Sequence, residues 1–575
     1  MAQSKVAFPE EILDDIFSYI TKPVGVTSMS TVHQLPVGRD LLSCALSCRA
    51  LSAPALRALW HTLVSLVPLF QLLSNFQRHG VDYTLSGDFD EASLSRFDFY
   101  ASMVRKYIYH NITIASGLYY GRLGDSVYKP LIQVRPRPLP NLTHFEVIPQ
   151  NGFYPLPSLE WLSLFVSPSL RTASFWFTSI AYVPQIVEYL QLVKLEAPEF
   201  HSLTITCDTL FNYEDANGKG SDMDTSLSAL LPQLHTLRRL LISFPLDEPE
   251  SRLTFLPRIQ TLGHMEHLEE LWIRGFLVDI LNFEDDEVYD SIVLPSSEEL
   301  IPGSFKSLKR LYIAHMYTVE IGTLNILRDA PAVESVQLRG DLKTEEDCKA
   351  VFRTLANQWS STLTVFIFRN DPYNSTIGSH VKFSSFAAAL YSCHQLQEVE
   401  FYDFYFELYL TDEDISNICD AWPCLTELLI EANAGNPEDC PGLVSCKTLS
   451  QRCPKLRHLT LPFNFSPHPC YMDPHCNHRL ESVHFWVEQS TSSGSRPSPT
   501  LLALELNGIF PYLKDVFITV VQTDPMTQKL ADRSPWKDVY DMVWLLQMIG
   551  KLQPPFPTSM MGYKDDEGSE EVLVV

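Results

Sequence analysis

The amino-acid sequence predicts an α/β solenoid of parallel strands and helices, preceded by a small all-α module of three helices. Three observations carry this reading. A short apolar pattern recurs along roughly 430 residues of the chain. The first sixty residues hold helical apolar stripes separated by breakers. At 575 residues the chain also exceeds one ordinary core, which leaves several domains or one extended repeat array.

Residues 1–63 read as the helical module. Pro9 suits a first helical position, and Glu10 and Glu11 complement the positive end of a helix dipole. Ile12, Leu13, Ile16, Phe17 and Ile20 then recur at helical spacing. Thr21 to Arg39 is rich in Pro, Gly, Ser and Thr and reads as a loop. Asp40 is placed to cap a second helix with Leu42, Ala45, Leu46 and Arg49 on one face. Ser52 is placed to cap a third, with Pro54 in its first turn and a stripe of Leu56, Leu59, Trp60 and Leu63. Residues 64–103 read as a helical connector into the repeats.

Residues 104–535 carry the repeat. The template apolar-x-x-apolar-x-apolar turns two-residue alternation into a short strand. It fits windows starting at Val104, Leu142, Leu170, Phe200, Leu237, Leu268, Leu308, Val333, Leu363, Leu396, Leu425, Leu456, Leu480 and Leu513. Starts lie roughly 24 to 40 residues apart, and turn-forming pairs such as Pro140-Asn141, Pro168-Ser169 and Trp422-Pro423 often precede them. Phe386 to Cys393, Glu413 to Trp422 and Cys446 to Cys453 read as helices filling the gaps. Strand, turn and helix in succession bury one continuous core. The pattern resembles leucine-rich repeats with a unit somewhat longer than usual. Asn433 and Asn464 fall where that resemblance implies an asparagine ladder. Ser490 to Ser498 reads as a surface insertion, 536–553 as an amphipathic capping helix, and 554–575 as a loose acidic tail.

Composition narrows the function classes. Hydrophobic residues at 45% and charged residues at 19% fit a folded soluble protein. A formal net charge of −26 disfavours a nucleic-acid partner. No apolar run of about 18 residues is present, so no membrane partner is expected, and the amino terminus lacks a secretory pattern. The twelve cysteines are scattered, as in a reducing compartment, and the expected location is cytoplasmic and/or nuclear. Catalytic signatures are poor. Asn217-Gly218-Lys219-Gly220-Ser221 lacks the first glycine of a phosphate loop, since Tyr213 stands there. His468, Cys470, His475, Cys476 and His478 lack the paired spacing of structural zinc ligands and read as incidental loop residues. No metal, cofactor or catalytic residue is expected.

The run Phe8-Pro9-Glu10-Glu11-Ile12-Leu13-Asp14-Asp15-Ile16-Phe17-Ser18-Tyr19-Ile20 resembles the first half of an F-box, and Asp40 to Leu51 resembles its second half. Ala55 to Trp60, and Arg96 to Ala101 with Val104-Arg105, are similar to the expanded F-box family of mushroom-forming (basidiomycete) fungi. Phe8 stands where that family usually has leucine and Leu51 where tryptophan is common. The resemblance implies a non-catalytic adaptor whose helices bind a Skp-type adaptor, and through it a cullin-RING ubiquitin ligase, while the solenoid holds a target protein. The implied adaptor contacts are Pro9, Glu10, Ile12, Leu13, Ile16, Phe17, Leu41, Leu42, Ala45 and Cys48. Outward strand positions of the solenoid would present Glu269, Glu270, Trp272, Lys309, Arg310, Tyr312, Glu398, Tyr402, Arg457 and His458. Of these, Trp272, Arg310, Tyr312, Tyr402, Arg457 and His458 are the expected target contacts. The alternative is an interaction scaffold not linked to ubiquitination, in which the helices only cap the solenoid.

Overall fold

A strand with alternate apolar residues buries one face and leaves the other to solvent. In the computed structural model this alternation yields a strand at every window predicted above. The structure describes residues 10–21, 34–80, 82–110, 122–148, 159–177, 182–207, 226–245, 261–276, 304–314, 324, 327, 330–340, 345–370, 380–402, 407–431, 440–464, 478–488, 499–521, 539, 542–543 and 545–546. Two compact units comprise Met1–Leu342 with Arg353–Leu363, and Lys343–Phe352 with Thr364–Val575.

The first unit holds the strands Thr62–Leu63, Lys106–His110, His144–Ile148, Thr172–Phe177, Ser202–Cys207, Arg239–Pro245, Glu270–Phe276, Arg310–Ala314 and Ser335–Gly340. Each pairs in parallel with the next, as a leucine-rich-repeat-like solenoid requires. Register runs one for one, so that Leu240, Leu271, Leu311 and Val336 align. The second unit repeats the arrangement with Val365–Asn370, Glu398–Tyr402, Glu427–Ile430, His458–Pro462, Ser482–Glu488 and Asp515–Val521.

The template residues form the core. The first two apolar positions of every window are buried, and so is the third except at Tyr109 and Ile518, which are half-buried. Helices and turns cover this face: Tyr189 of helix Val183–Glu196 packs on Phe145 and Phe175. In the second unit Phe352 meets Phe366, Phe368, Phe386 and Phe401.

Turn polar groups are satisfied between consecutive repeats. The carbonyl of Arg105 accepts the N–H groups of Thr143 and His144, and that of Thr143 accepts those of Arg171 and Thr172. The same fork recurs at Arg171, His201, Arg238, Glu269 and Lys309, and in the second unit at Thr364, Gln397, Thr426, Arg457 and Glu481. Two buried indoles add ties of the same kind, Trp359 Nε1 donating to Ala330 O at 2.8 Å and Trp422 Nε1 to Leu390 O at 3.0 Å. Helix Asp412–Ala421 starts at a capping box, where Thr411 Oγ1 accepts from Asp414 N and Asp414 Oδ2 from Thr411 N.

Several expectations are corrected. The second helix runs Gln34–Ser47, so Asp40 lies inside it and caps nothing. The third runs Arg49–His61 from an extended Cys48 without a side-chain cap, and Leu63 belongs to a strand. The connector is not wholly helical. Between helices Val67–Phe70 and Glu91–Ala101 lies the hairpin Phe76–His79 and Asp82–Leu85. Gly80, at φ +65°, supplies the left-handed turn residue, and Phe76 stacks on Tyr83 at 4.8 Å. Within 536–553 the described Val539, Met542, Val543, Leu545 and Leu546 are helical, with Val539 and Val543 buried. Asn464 bonds Pro441 O through its backbone N–H. Asn433, residues 217–221, residues 490–498, the acidic tail, and His468, Cys470, His475 and Cys476 lie outside the described residues.

His478 is not an incidental loop residue. It is buried, with Nε2 2.8 Å from Cys453 O and Nδ1 accepting from Leu480 N at 3.2 Å. That pairing requires the neutral ring protonated on Nε2. Burial pushes its pKa below the ordinary 6.5, only partly offset by the Cys453 carbonyl. Below about pH 6.5 the unfolded chain therefore takes up this proton first, and stability present at neutral pH is lost on acidification. Thermal melts at pH 7.5 and 5.5 check this: His478→Gln, which cannot titrate, narrows the wild-type difference. An undiminished difference contradicts the assignment.

Candidate functional site

Two surfaces gather the residues singled out by sequence. In the helical module, Leu13 and Phe17 of helix Glu10–Thr21 and Leu41 and Ala45 of helix Gln34–Ser47 each sit four residues apart. They pack with Ala55, Leu51, Leu56 and Leu59 of the third helix. These four expected adaptor contacts are thus the module's own core and are not available to a partner while it is folded. The reason is rotation: a helix turns 100° per residue, so the neighbouring position faces away.

Those neighbouring positions are the exposed apolar ones on each helix. Ile12, Ile16, Leu42 and Leu46 are 48%, 47%, 46% and 78% exposed, and Cys48 is exposed beyond them. Leu46 is absent from the sequence-based contact set, although it follows Leu42 by one helical turn. Glu10 begins the first helix, and Pro9 lies outside the described residues. The third helix continues directly into strand Thr62–Leu63, and Trp60 packs on Tyr100 of helix Glu91–Ala101 with ring centres 4.8 Å apart and tilted by 33°.

On the outward face of the first unit's sheet, parallel register sets Glu270 beside Arg310 and Trp272 beside Tyr312. The rings of Trp272 and Tyr312 lie 4.4 Å apart, tilted by 33°. Glu270 organises the group. Its Oε1 accepts from Trp272 Nε1 at 2.6 Å, and its Oε2 accepts from Arg310 Nε at 3.2 Å and Nη2 at 2.8 Å. Charge-assisted bonds of this kind fix both side chains. Three expected target contacts therefore converge. Glu270→Ala is expected to cost about 1–2 kcal/mol of stability, since the Arg310 side chain is 57% exposed but that of Glu270 only 16%, and the Trp272 indole loses its acceptor as well. In nuclear magnetic resonance spectra the Trp272 indole N–H should move upfield and exchange faster; an unmoved resonance refutes the bond.

In the second unit the expected contacts do not converge. Tyr402 donates to Glu400 Oε2 at 2.7 Å beneath the Arg369 guanidinium, 4.6 Å from the ring centre. Burial, then the Glu400 hydrogen bond, raises its hydroxyl pKa. His458 faces Glu427 on a strand two away from that of Tyr402, and Arg457 reaches Glu481 at 3.3 Å. Burial raises the Glu427 carboxyl, with Glu400 adding and His458 opposing. Arg369 escapes a sequence reading because it meets Tyr402 across strands, and Glu400 because nothing in the alternation marks it as the acceptor for Tyr402 two residues on.

No family model matches the sequence, and no curated protein does. Among solved structures, a crystal structure of a TLR13–ssRNA13 complex is similar at 13% identity and a TM-score of 0.34, over 76% of this chain and 62% of that one. The chain thus spans less than two thirds of that protein's length. A crystal structure of the Rad7 and Elc1 complex in yeast is similar at 14% identity and a TM-score of 0.32, over 81% of this chain and 91% of that one. The solenoid itself is defined by the strand register and the buried template residues.

Proposed function

We propose that the chain is the substrate-recognition subunit of an SCF-type (cullin-RING) ubiquitin ligase. The helical module binds a Skp-type adaptor, and the solenoid holds a target protein. The observation that carries this reading is a coincidence: the F-box-like residues include exposed apolar side chains on two helices, Ile12 and Ile16 on the first and Leu42 on the second, where Leu46 follows one turn on. Exposed apolar side chains at i, i+4 spacing on two helices suit a partner's helices. The chain supplies proximity and orientation and no bond chemistry, and it needs neither metal nor cofactor. Its place is the cytoplasm, the nucleus or both.

Co-expression with a Skp-type adaptor, followed by addition of cullin, RING protein and a charged conjugating enzyme, tests the reading. Co-elution with the adaptor and adaptor-dependent ubiquitin conjugates are expected. A folded chain that elutes alone overturns it.

A second reading has its own support. The third helix leads into the first strand and packs by Trp60 on Tyr100, so the module also serves as an end cap. An interaction scaffold without a ubiquitin role would keep that packing and leave the adaptor unbound.

A further inference from the structure

The cluster around Trp272 sits in a local charge environment opposite to that of the chain. The strands Arg239–Pro245, Glu270–Phe276, Arg310–Ala314 and Ser335–Gly340 share one register, so residues at even offsets lie on one side of the sheet. There Ser243 and Ala314, beside Arg274, are buried, and the arginines are exposed or half-buried. The charged residues at those described positions are Arg239, Arg274, Arg310 and Arg339 against Glu270. The whole chain carries −26. Outward positions of the second unit show the reverse, with Glu398, Glu400 and Glu427 on neighbouring strands.

Geometry makes these arginines relevant to the aromatic pair. Adjacent strands lie about 4.8 Å apart and residues two along a strand about 6.6 Å apart. Each of the four arginine positions therefore falls within about one Debye length, ~8 Å at physiological salt, of Trp272 or of Tyr312. Arg310 uses Nε and Nη2 on Glu270 while its side chain stays 57% exposed, which leaves donors on a five-donor group. Trp272 spends its one N–H on Glu270, so what it offers a partner is its ring face.

We infer that this face docks an acidic segment of a protein, whose carboxylates meet Arg274, Arg310, Arg239 and Arg339 while an apolar or aromatic side chain packs on Trp272 and Tyr312. The inference rests on the reading that the solenoid holds a target, and it names the target's chemistry. Arginine and aromatic rings also suit single-stranded RNA. A long polyanion is disfavoured by the chain's net charge of −26, whereas a short acidic segment needs only the local charges.

The test uses the full chain and a fluorescein-labelled peptide of about twelve residues, aspartate and glutamate with one central phenylalanine, read by fluorescence anisotropy. Expected is saturable binding that weakens at least about tenfold in the double variant Arg274→Glu with Arg310→Glu, and likewise in Trp272→Ala. Arg274→Lys with Arg310→Lys, which keeps the charge, should hold binding within a few-fold, and circular dichroism confirms folding of each variant. Equal binding of a lysine version of the peptide overturns the inference. So does indifference to the glutamate substitutions, or binding of a uridine oligonucleotide in place of the peptide. Ile16→Asp separates the two readings, because it should leave peptide binding unchanged. A wild-type chain that binds the peptide but captures no adaptor overturns the ligase reading alone. Loss of peptide binding with adaptor capture intact overturns this inference alone.

Discussion

Trp422→Ala should destabilise the second unit by about 3–5 kcal/mol, the range for removing a buried large aromatic. Trp422 is fully buried, and its indole donates to Leu390 O in the preceding repeat. Its own carbonyl lies 3.9 Å from Cys453 Sγ in the following one. Alanine thus leaves a cavity and removes one of the two hydrogen bonds that Leu390 O accepts, the other coming from Cys393 N at 2.9 Å. Trp422→Phe keeps most of the volume and should cost only about 1–2 kcal/mol. Hydrogen exchange should report the loss in strands Glu398–Tyr402, Glu427–Ile430 and His458–Pro462, with slow exchange retained in the first unit. Unchanged protection in those strands would refute the role given to the indole.

Neighbouring leucines in the helical module should behave in opposite ways. Leu41 is 3% exposed and Leu42 is 46% exposed. Leu41→Asp places an unpaired charge among Leu13, Phe17 and Ala55, at a cost of several kcal/mol that three short helices cannot bear. Helical signal from the module should be lost. Leu42→Asp should leave that signal intact and weaken adaptor binding at least about 30-fold, the ~2 kcal/mol of a binding hot spot. Equal loss of helicity in both variants would show that the two faces are misassigned.

The solenoid was legible because its signal is local and redundant. Leu268-Leu271-Ile273 carries little alone, but the same spacing recurs in every repeat, and parallel register stacks the copies. Features fixed by tertiary contact were harder to see. Thr62–Leu63 is a strand because Lys106 and Tyr107 pair with it, and two residues after a helix carry no period of their own. The hairpin at Phe76 to Leu85 depends on Gly80 and on aromatic stacking with Tyr83.

The candidate sites divide the same way. Apolar spacing placed Leu13 and Ile16 on one stripe, and only packing against Ala55 and Leu59 shows which of them turns inward. Trp272, Arg310 and Tyr312 were found by position on the strand. Glu270 reaches Trp272 within one strand, but its bonds to Arg310 and the ring pair depend on cross-strand register, which alternation alone does not specify.

Titration calorimetry of the purified full chain with a Skp-type adaptor tests the ligase assignment most directly. The predicted result is a one-to-one complex with Kd on the order of 1 µM or tighter, abolished when Ile16→Asp and Leu42→Asp are combined and retained in Trp272→Ala. A folded chain that gives no heat of binding, or one whose binding ignores those two substitutions, contradicts it.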